Sequence, residues 1–215
     1  PTLLKSGVLQ VCTHLSYKPF QFKDDSGKVV GFDVDVMDLV AKKLGFDDPI
    51  TVDGSDYTGT PWVSVTSKFP TDANDDKLAL ASIGQGDTVV TPLQNAMVAA
   101  AVANDGKLMQ PTLVDRVRSA DLSVISQTKP TVMSRAFSAD TANKLTQMME
   151  AVVTKENPNL AIDGVQVAVK TGTAQIGDGN SAIDGWVIGF APADDPKIAV
   201  AVVVHNVDLY GSFAA

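Results

Sequence analysis

Four consecutive residues near the C-terminal end carry chemistry suited to holding a carboxylate: Lys170, Thr171, Gly172 and Thr173. Thr171 could donate a hydrogen bond to the carboxylate, and Lys170 would supply positive potential in a partly dry site. Gly172 lacks the side chain that would block the close approach of a ligand backbone lying antiparallel to this segment. The Thr173 N–H could face a developing oxyanion. A surface lysine followed by turn residues gives the same triplet, so the triplet alone is weak evidence.

Three neighbouring antiparallel strands are predicted to position these residues. Apolar runs cover residues 167–175, 185–191 and 197–204, and a turn rich in proline and aspartate separates the last two. Two helices precede them in the sequence. One starts at Thr91-Pro92 and ends near Gly106, and the other is capped by Ser138 and stops before residue 157. The pattern predicts a mixed α/β (α+β) fold, in which an antiparallel sheet over residues 165–205 is flanked by helices 91–104 and 138–154.

The rest of the chain divides into an N-terminal segment and a connection. Residues 1–45 predict a strand at 8–12, a hairpin pairing 20–22 with 29–32, and a helix that ends at Gly45. Residues 46–76 are rich in Asp, Gly, Pro, Ser and Thr with little periodicity, which predicts an irregular connection. Residues 77–215 form the third region, which contains the candidate carboxylate site.

Composition excludes several classes of function. The net charge of −8 argues against a nucleic-acid surface. The single Cys12 excludes an internal disulfide, and His14 and His205 suggest neither a metal cluster nor a Cys/His catalytic pair. We therefore expect no metal and no cofactor. No apolar run reaches the roughly 20 residues that span a bilayer, and Pro1 predicts a mature or shortened chain without an export signal of its own.

Much of the chain resembles the C-terminal half of the transpeptidase domain of penicillin-binding proteins, in particular the class B type of actinobacteria. The matching residues are Phe69-Pro70-Thr71, Ala81-Ser82-Ile83-Gly84-Gln85-Gly86, Thr91-Pro92-Leu93-Gln94, Ala103-Asn104-Asp105-Gly106, Pro111, Lys170-Thr171-Gly172-Thr173-Ala174, Trp186 and Gly189-Phe190-Ala191-Pro192. The resemblance covers residues 46–215. It implies a serine D,D-transpeptidase fold, substrate binding by Lys170, Thr171, Gly172 and Thr173, a peptidoglycan stem peptide or a β-lactam as partner, and an extracytoplasmic location in the cell envelope.

The catalytic motifs of that family are missing from this sequence. The family's nucleophile is the serine of Ser-x-x-Lys, followed by a Ser-x-Asn triplet, and no Ser-x-Asn occurs here. One Ser-x-x-Lys occurs, from Ser126 to Lys129, but Pro130 follows it and it lies on the wrong side of the family's motif order. We therefore predict a fragment that is catalytically incompetent alone. An active serine acyltransferase using Ser126 remains an alternative.

Residues 1–45 resemble the start of an extracellular solute-binding protein of the polar amino-acid type. In that family an aromatic loop, here Tyr17 and Phe20, lies near the ligand cleft, so these two residues are a candidate remnant of a cleft. The simplest interpretation is a chimaera joined near residue 45. The alternative function is an amino-acid-binding or purely structural module, in which the Lys170 segment is only part of the core sheet.

The resemblance also implies that strands and most of a closing helix of the family are absent from this chain. Their absence predicts an apolar sheet face and at least one exposed sheet edge. Either the N-terminal 45 residues or a second copy of the chain would then cover that surface, so a homo-oligomer through the exposed edge is expected as one of two outcomes.

Overall fold

The computed structural model describes residues 16–17, 21–26, 29–30, 42–55, 60–70, 75–177 and 182–207. The N-terminal strands β1 (Ser16–Tyr17), β2 (Gln21–Lys23) and β3 (Val29–Val30) form a small antiparallel sheet in that order. Phe22 of β2 pairs with Val30 of β3, which confirms the predicted hairpin. The predicted strand at 8–12 and most of the predicted helix after Asp33 lie outside the described residues. Gly45 adopts a φ of +78° and ends a helical turn through a hydrogen bond from its N–H to the Lys42 carbonyl.

The segment 46–76 is more ordered than an irregular connection. Strands β4 (Thr51–Ser55) and β5 (Pro61–Val63) pair antiparallel within it, and a single bridge joins Lys68 to Val89. This part of the prediction is wrong because pairing between strands outweighs the low strand propensity of Asp53, Gly54 and Pro61. Helix α1 (Asp75–Ser82) follows.

The central helix α2 (Pro92–Ala103) begins and ends where its sequence predicts. The Thr91 side chain accepts a hydrogen bond from the Gln94 N–H at 3.1 Å, and Pro92 occupies the first turn, where no N–H is needed. Gly106, at φ +81°, then turns the chain into β6 (Lys107–Met109). Met97 and Ala101 of this helix pack against Ile50 and Leu108 in one part of the core.

Two pairs of short strands follow α2. Strand β6 pairs antiparallel with β9 (Val132–Arg135), and β7 (Arg116–Arg118) pairs with β8 (Val124–Gln127). Side chains of β7 and β8 are exposed throughout, so this hairpin projects from the core.

Helix α3 (Ala139–Ala151) is capped by Ser138, whose hydroxyl accepts from the Thr141 N–H at 3.1 Å. A π-helical turn (Val152–Glu156) and a 3-10 turn (Pro158–Leu160) lead away from it. Met148 of this helix is 64% exposed, whereas the neighbouring Met149 is buried. Only a narrow stripe of α3 contacts the sheet, and Met148 lies beside it.

The main sheet contains β10 (Ala168–Ile176), β11 (Ala182–Ala191) and β12 (Ile198–Val207), in that order and all antiparallel. Ala168 pairs with Phe190, and both pack against Val102 of α2 and Met149 of α3. The helices therefore cover one face of the sheet at this end. The fold class is confirmed: a mixed α/β structure with an antiparallel sheet flanked by helices.

The opposite face of β12 is apolar and exposed. Ile198, Val200 and Val202 are 61%, 42% and 43% exposed, and their alternation places them on the side that turns away from α2. Strand β12 is also the last strand of its sheet among the described residues. The structure therefore has both features that the sequence predicts here, an apolar sheet face and an open edge.

Candidate functional site

Strand β10 places the four predicted carboxylate-binding residues in one continuous ladder with β11. Lys170 pairs with Ile188, Thr171 with Val187, Gly172 with Trp186 and Thr173 with Gly185. Because side chains alternate along a strand, Lys170 and Gly172 share one face, and Thr171 and Thr173 share the other. The strand is an edge of its sheet, so its outer backbone groups face away from β11.

In the part of the chain that the structure describes, packing does not require a glycine at position 172. A Cβ built at this position would lie 3.5 Å from the Trp186 Cβ, which is an ordinary contact, and the backbone is not in the left-handed region. By contrast, a Cβ at Gly189 on β11 would lie only 2.7 Å from the Ala168 carbonyl oxygen. Packing of the described residues therefore requires a glycine at position 189 and does not require one at position 172.

Lys170 is exposed, and its Nζ donates to the carbonyl of the adjacent Thr171. The described residues therefore do not enclose it in the partly dry site that the sequence suggested. Its cation still lies at the outer edge of β10, beside the half-buried Thr171, where it can meet a carboxylate in a hydrated setting. Its electrostatic contribution is correspondingly that of a solvent-screened charge.

The outer edge of β10 is occupied further along by Gln85. Its Nε2 donates to the Thr173 carbonyl at 2.7 Å, and its Oε1 accepts from the Gln175 N–H at 3.0 Å. Sequence reasoning did not assign a role to Gln85. A signal was present, because the flanking Gly84 and Gly86 mark a tight turn that presents the side chain between them.

Ser126 and Lys129 are not arranged as a nucleophile and its base. Ser126 lies exposed on the irregular ladder of β8, opposite Val117, while Lys129 follows the end of that strand. Among the described residues no hydrogen bond joins them. Lys129 instead lines a half-open cavity of about 800 Å³, together with Asp115 and Gln110. A helical Ser-x-x-Lys would bring its two ends to one face, which this strand does not do.

The remaining predicted residues contribute little to the described site. Tyr17 lies in β1, whereas its side chain and the whole of Phe20 lie outside the described residues, as does His14. His205 places Nδ1 2.6 Å from Asp184 Oδ1 across the far end of the main sheet, with the imidazole largely exposed. In the part of the chain that is described, no helix combines the length and apolar character needed to cross a bilayer.

Comparison with protein families gives two overlapping matches. Residues 35–215 match the penicillin binding protein transpeptidase domain. Residues 9–60 match the bacterial extracellular solute-binding proteins, family 3, over a much shorter stretch. The predicted junction near residue 45 falls inside the overlap of the two matches and remains a prediction.

Individual relatives agree with the longer match. The chain is 41% identical over 177 residues to the peptidoglycan D,D-transpeptidase PbpA of Mycolicibacterium smegmatis, covering 80% of this chain and 34% of that protein. Two solved structures of penicillin-binding protein A from M. tuberculosis are also similar. The imipenem acyl-enzyme complex has a TM-score of 0.70 at 37% identity, and covers 82% of this chain and 38% of that one. The penicillin G acyl-enzyme complex has a TM-score of 0.67 at 35% identity, and covers 82% and 40%. The chain thus spans about a third of its relative PbpA and about two-fifths of the solved chains.

Proposed function

Because the chain belongs to the family of penicillin-binding protein transpeptidase domains, we propose that its residues from about 46 to 215 are a fragment of a transpeptidase domain that binds a carboxylate on β10 and forms no acyl-enzyme alone. The observation that carries this proposal is the combination of an intact Lys170–Thr173 edge strand with a sequence that has no Ser-x-Asn triplet. Acyl transfer needs a nucleophile held against a base, and the one Ser-x-x-Lys of this chain lies on and after a strand.

We propose that the ligands of β10 are β-lactams and stem peptides that end in D-Ala-D-Ala, bound reversibly and weakly. One support comes from solved relatives that are acyl-enzymes of imipenem and penicillin G. The other is Gly172, because packing of the described residues would accept a side chain at this position and yet the residue is glycine. A ligand backbone lying along the edge would use that open surface, with its carboxylate between Lys170 and the Thr171 hydroxyl.

Covalent chemistry is tested by intact mass after incubation with benzylpenicillin. We expect no added mass on the wild-type chain or on Ser126→Ala. A covalent adduct on the wild-type protein would contradict the proposal. If that adduct disappeared in Ser126→Ala, the active acyltransferase hypothesis would replace it.

Reversible binding is tested by titrating N-acetyl-L-Lys-D-Ala-D-Ala while following the backbone amides of Thr171 and Thr173 by NMR. Lys170→Ala should weaken binding about two- to fivefold, because an exposed ion pair is worth about 0–1 kcal/mol. Lys144→Ala removes another exposed cation, from α3, and should leave binding unchanged. Equal effects of the two substitutions would show that peptide affinity depends on the net charge of the protein and not on the position of Lys170.

Two further proposals concern the location of the chain and the function of its N-terminal segment. Since relatives are named for peptidoglycan, we propose that the chain works in the cell envelope, and finding the native gene product in the cytosolic fraction would contradict this. The match of residues 9–60 favours amino-acid binding as a second candidate, in a segment joined near residue 45. Thermal shifts with a panel of amino acids test it, and a selective shift would support that candidate.

A second copy of the chain is the partner that we propose for β12. Antiparallel pairing of two β12 edges about a two-fold axis would cover the open edge and place the apolar side chains of Ile198, Val200 and Val202 beside those of the second copy. Sedimentation velocity should then show concentration-dependent association that Val202→Lys abolishes without lowering the unfolding temperature. A wild-type chain that remains monomeric at every concentration would contradict this arrangement.

A further inference from the structure

The side chain of Gln85 imitates a neighbouring β-strand. In a parallel pair of strands, one residue donates its N–H to a carbonyl of the partner and accepts from the N–H two residues further along. Gln85 does this with its carboxamide, which donates to the Thr173 carbonyl and accepts from the Gln175 N–H, opposite Ala174. Both contacts fall on the outer edge of β10, where an added strand would pair.

The loop that presents Gln85 is fixed by local structure rather than by β10. Gly84 and Gly86 adopt φ values of +77° and +70°, which strongly favour glycine. The Gln85 N–H donates to the Leu80 carbonyl at 2.9 Å. Gln85 therefore also caps the C-terminal end of α1 through its backbone. The local backbone thus directs the Gln85 side chain toward β10 in the absence of a ligand.

The direction of the proposed ligand brings it into conflict with Gln85. A peptide antiparallel to β10, with its C-terminal carboxylate beside Lys170 and Thr171, runs its preceding residues toward Thr173 and Gln175. These residues of the ligand would need the Thr173 carbonyl and the Gln175 N–H, and Gln85 already holds both groups.

We propose that Gln85 competes with the ligand for the edge of β10, and so limits how many residues before the terminal carboxylate can pair with this strand. The inference rests on the proposed carboxylate-binding function of Lys170–Thr173 and adds a determinant of ligand length. In the wild-type chain, extending a carboxylate-terminated peptide by one residue brings little affinity, because the longer peptide runs into the Gln85 carboxamide and must displace its hydrogen bonds to β10.

The test compares two probes, N-acetyl-D-Ala-D-Ala and N-acetyl-L-Lys-D-Ala-D-Ala, on wild type and Gln85→Ala by NMR titration. We expect the ratio of their affinities to shift toward the longer probe by at least about fivefold in Gln85→Ala, as the edge of β10 that Gln85 occupies becomes available to it. Gln147→Ala, which removes an exposed glutamine from α3, is the matched control and should leave the ratio unchanged.

Hydrogen exchange of the Gln175 amide reports the contact without a ligand. Exchange should accelerate about tenfold or more in Gln85→Ala. It should accelerate less in Gln85→Glu, which keeps an acceptor for this N–H and loses the donor to Thr173. Unchanged exchange in Gln85→Ala, or faster exchange with an unchanged probe ratio, would overturn the proposal and reduce Gln85 to a brace between α1 and β10.

The results that would contradict the role of Gln85 differ from those that would contradict carboxylate binding on β10. Binding of the shorter probe with no gain for the longer probe in Gln85→Ala removes only the role of Gln85. Absence of binding by either probe to both proteins removes the carboxylate-binding function and the role of Gln85 together.

Discussion

Replacing Gly172 by alanine should strengthen the fold and weaken ligand binding. The added Cβ meets only the Trp186 Cβ at 3.5 Å, and the backbone conformation suits any L-residue. Alanine within a strand is about 0.5–1 kcal/mol more favourable than glycine. For a chain of this size, 1 kcal/mol corresponds to about 2–4 °C, so the unfolding temperature should rise by about 1–4 °C.

The same methyl group stands where a ligand backbone would approach β10. We expect the affinity for N-acetyl-L-Lys-D-Ala-D-Ala to fall about tenfold or more, because close approach of two backbones at this position depends on the missing side chain. The assays are thermal unfolding followed by circular dichroism, and NMR titration of the same samples.

Gly189→Ala is the matched control on the paired strand. Its Cβ would lie 2.7 Å from the Ala168 carbonyl oxygen and 3.1 Å from Val169 Cγ2, so backbone must move. Overpacking of this kind costs about 1–3 kcal/mol. If Gly172→Ala destabilised the protein as much as Gly189→Ala, Gly172 would serve the fold, and the reasoning about the ligand would be refuted. Undiminished affinity in a stable Gly172→Ala variant would refute it equally.

Three further outcomes follow from the structure. Gly106→Ala should destabilise the protein by more than about 3 kcal/mol in chemical denaturation, because its Cβ would overlap the Phe137 carbonyl at a φ of +81°; a loss under about 1 kcal/mol would contradict the described turn. Ser138→Ala should cost about 0.5–2 kcal/mol in the same assay through loss of the α3 cap, and no change would argue against that cap. Hydrogen bonds from Ser119, the largest cause, and from the hydroxyl and N–H of Ser123 lower the pKa of Asp121 from 3.8 to about 2. The stability that the Asp121 carboxylate contributes should therefore be present above about pH 4 and be lost as pH falls through 2. An NMR titration midpoint that stays near 2 in Ser119→Ala would refute Ser119 as the largest cause.

Local signals made some elements predictable. The ends of α2 follow from Thr91, Pro92 and Gly106, each of which acts on its own turn of backbone. The strands β10–β12 follow from apolar runs that are separated by short turns. Such features are specified by residues close together in sequence, so they can be deduced without knowing the rest of the fold.

Features that depend on distant partners were missed. Strand β5 begins with Pro61 and pairs with a strand containing Gly54, so neither strand has a strong propensity of its own. Gln85 contacts a strand 88 positions away, a distance over which no sequence periodicity carries information. The exposure of Lys170 depends likewise on which segments surround the edge of β10, and a short motif does not specify them.

The separation between Gln85 and its strand has a consequence for synthesis of the chain on the ribosome. At about 5–20 residues per second, the 88 intervening positions take roughly 4–18 s to translate. During that interval the loop after α1 exists without β10, and local features hold its shape, among them its two glycines and the backbone bonds from Gln85 to Leu80 and from Gly84 to Ala81. When β10–β12 emerge as one contiguous unit, they meet a loop already shaped to receive them, so the nascent sheet finds one edge protected as soon as it forms.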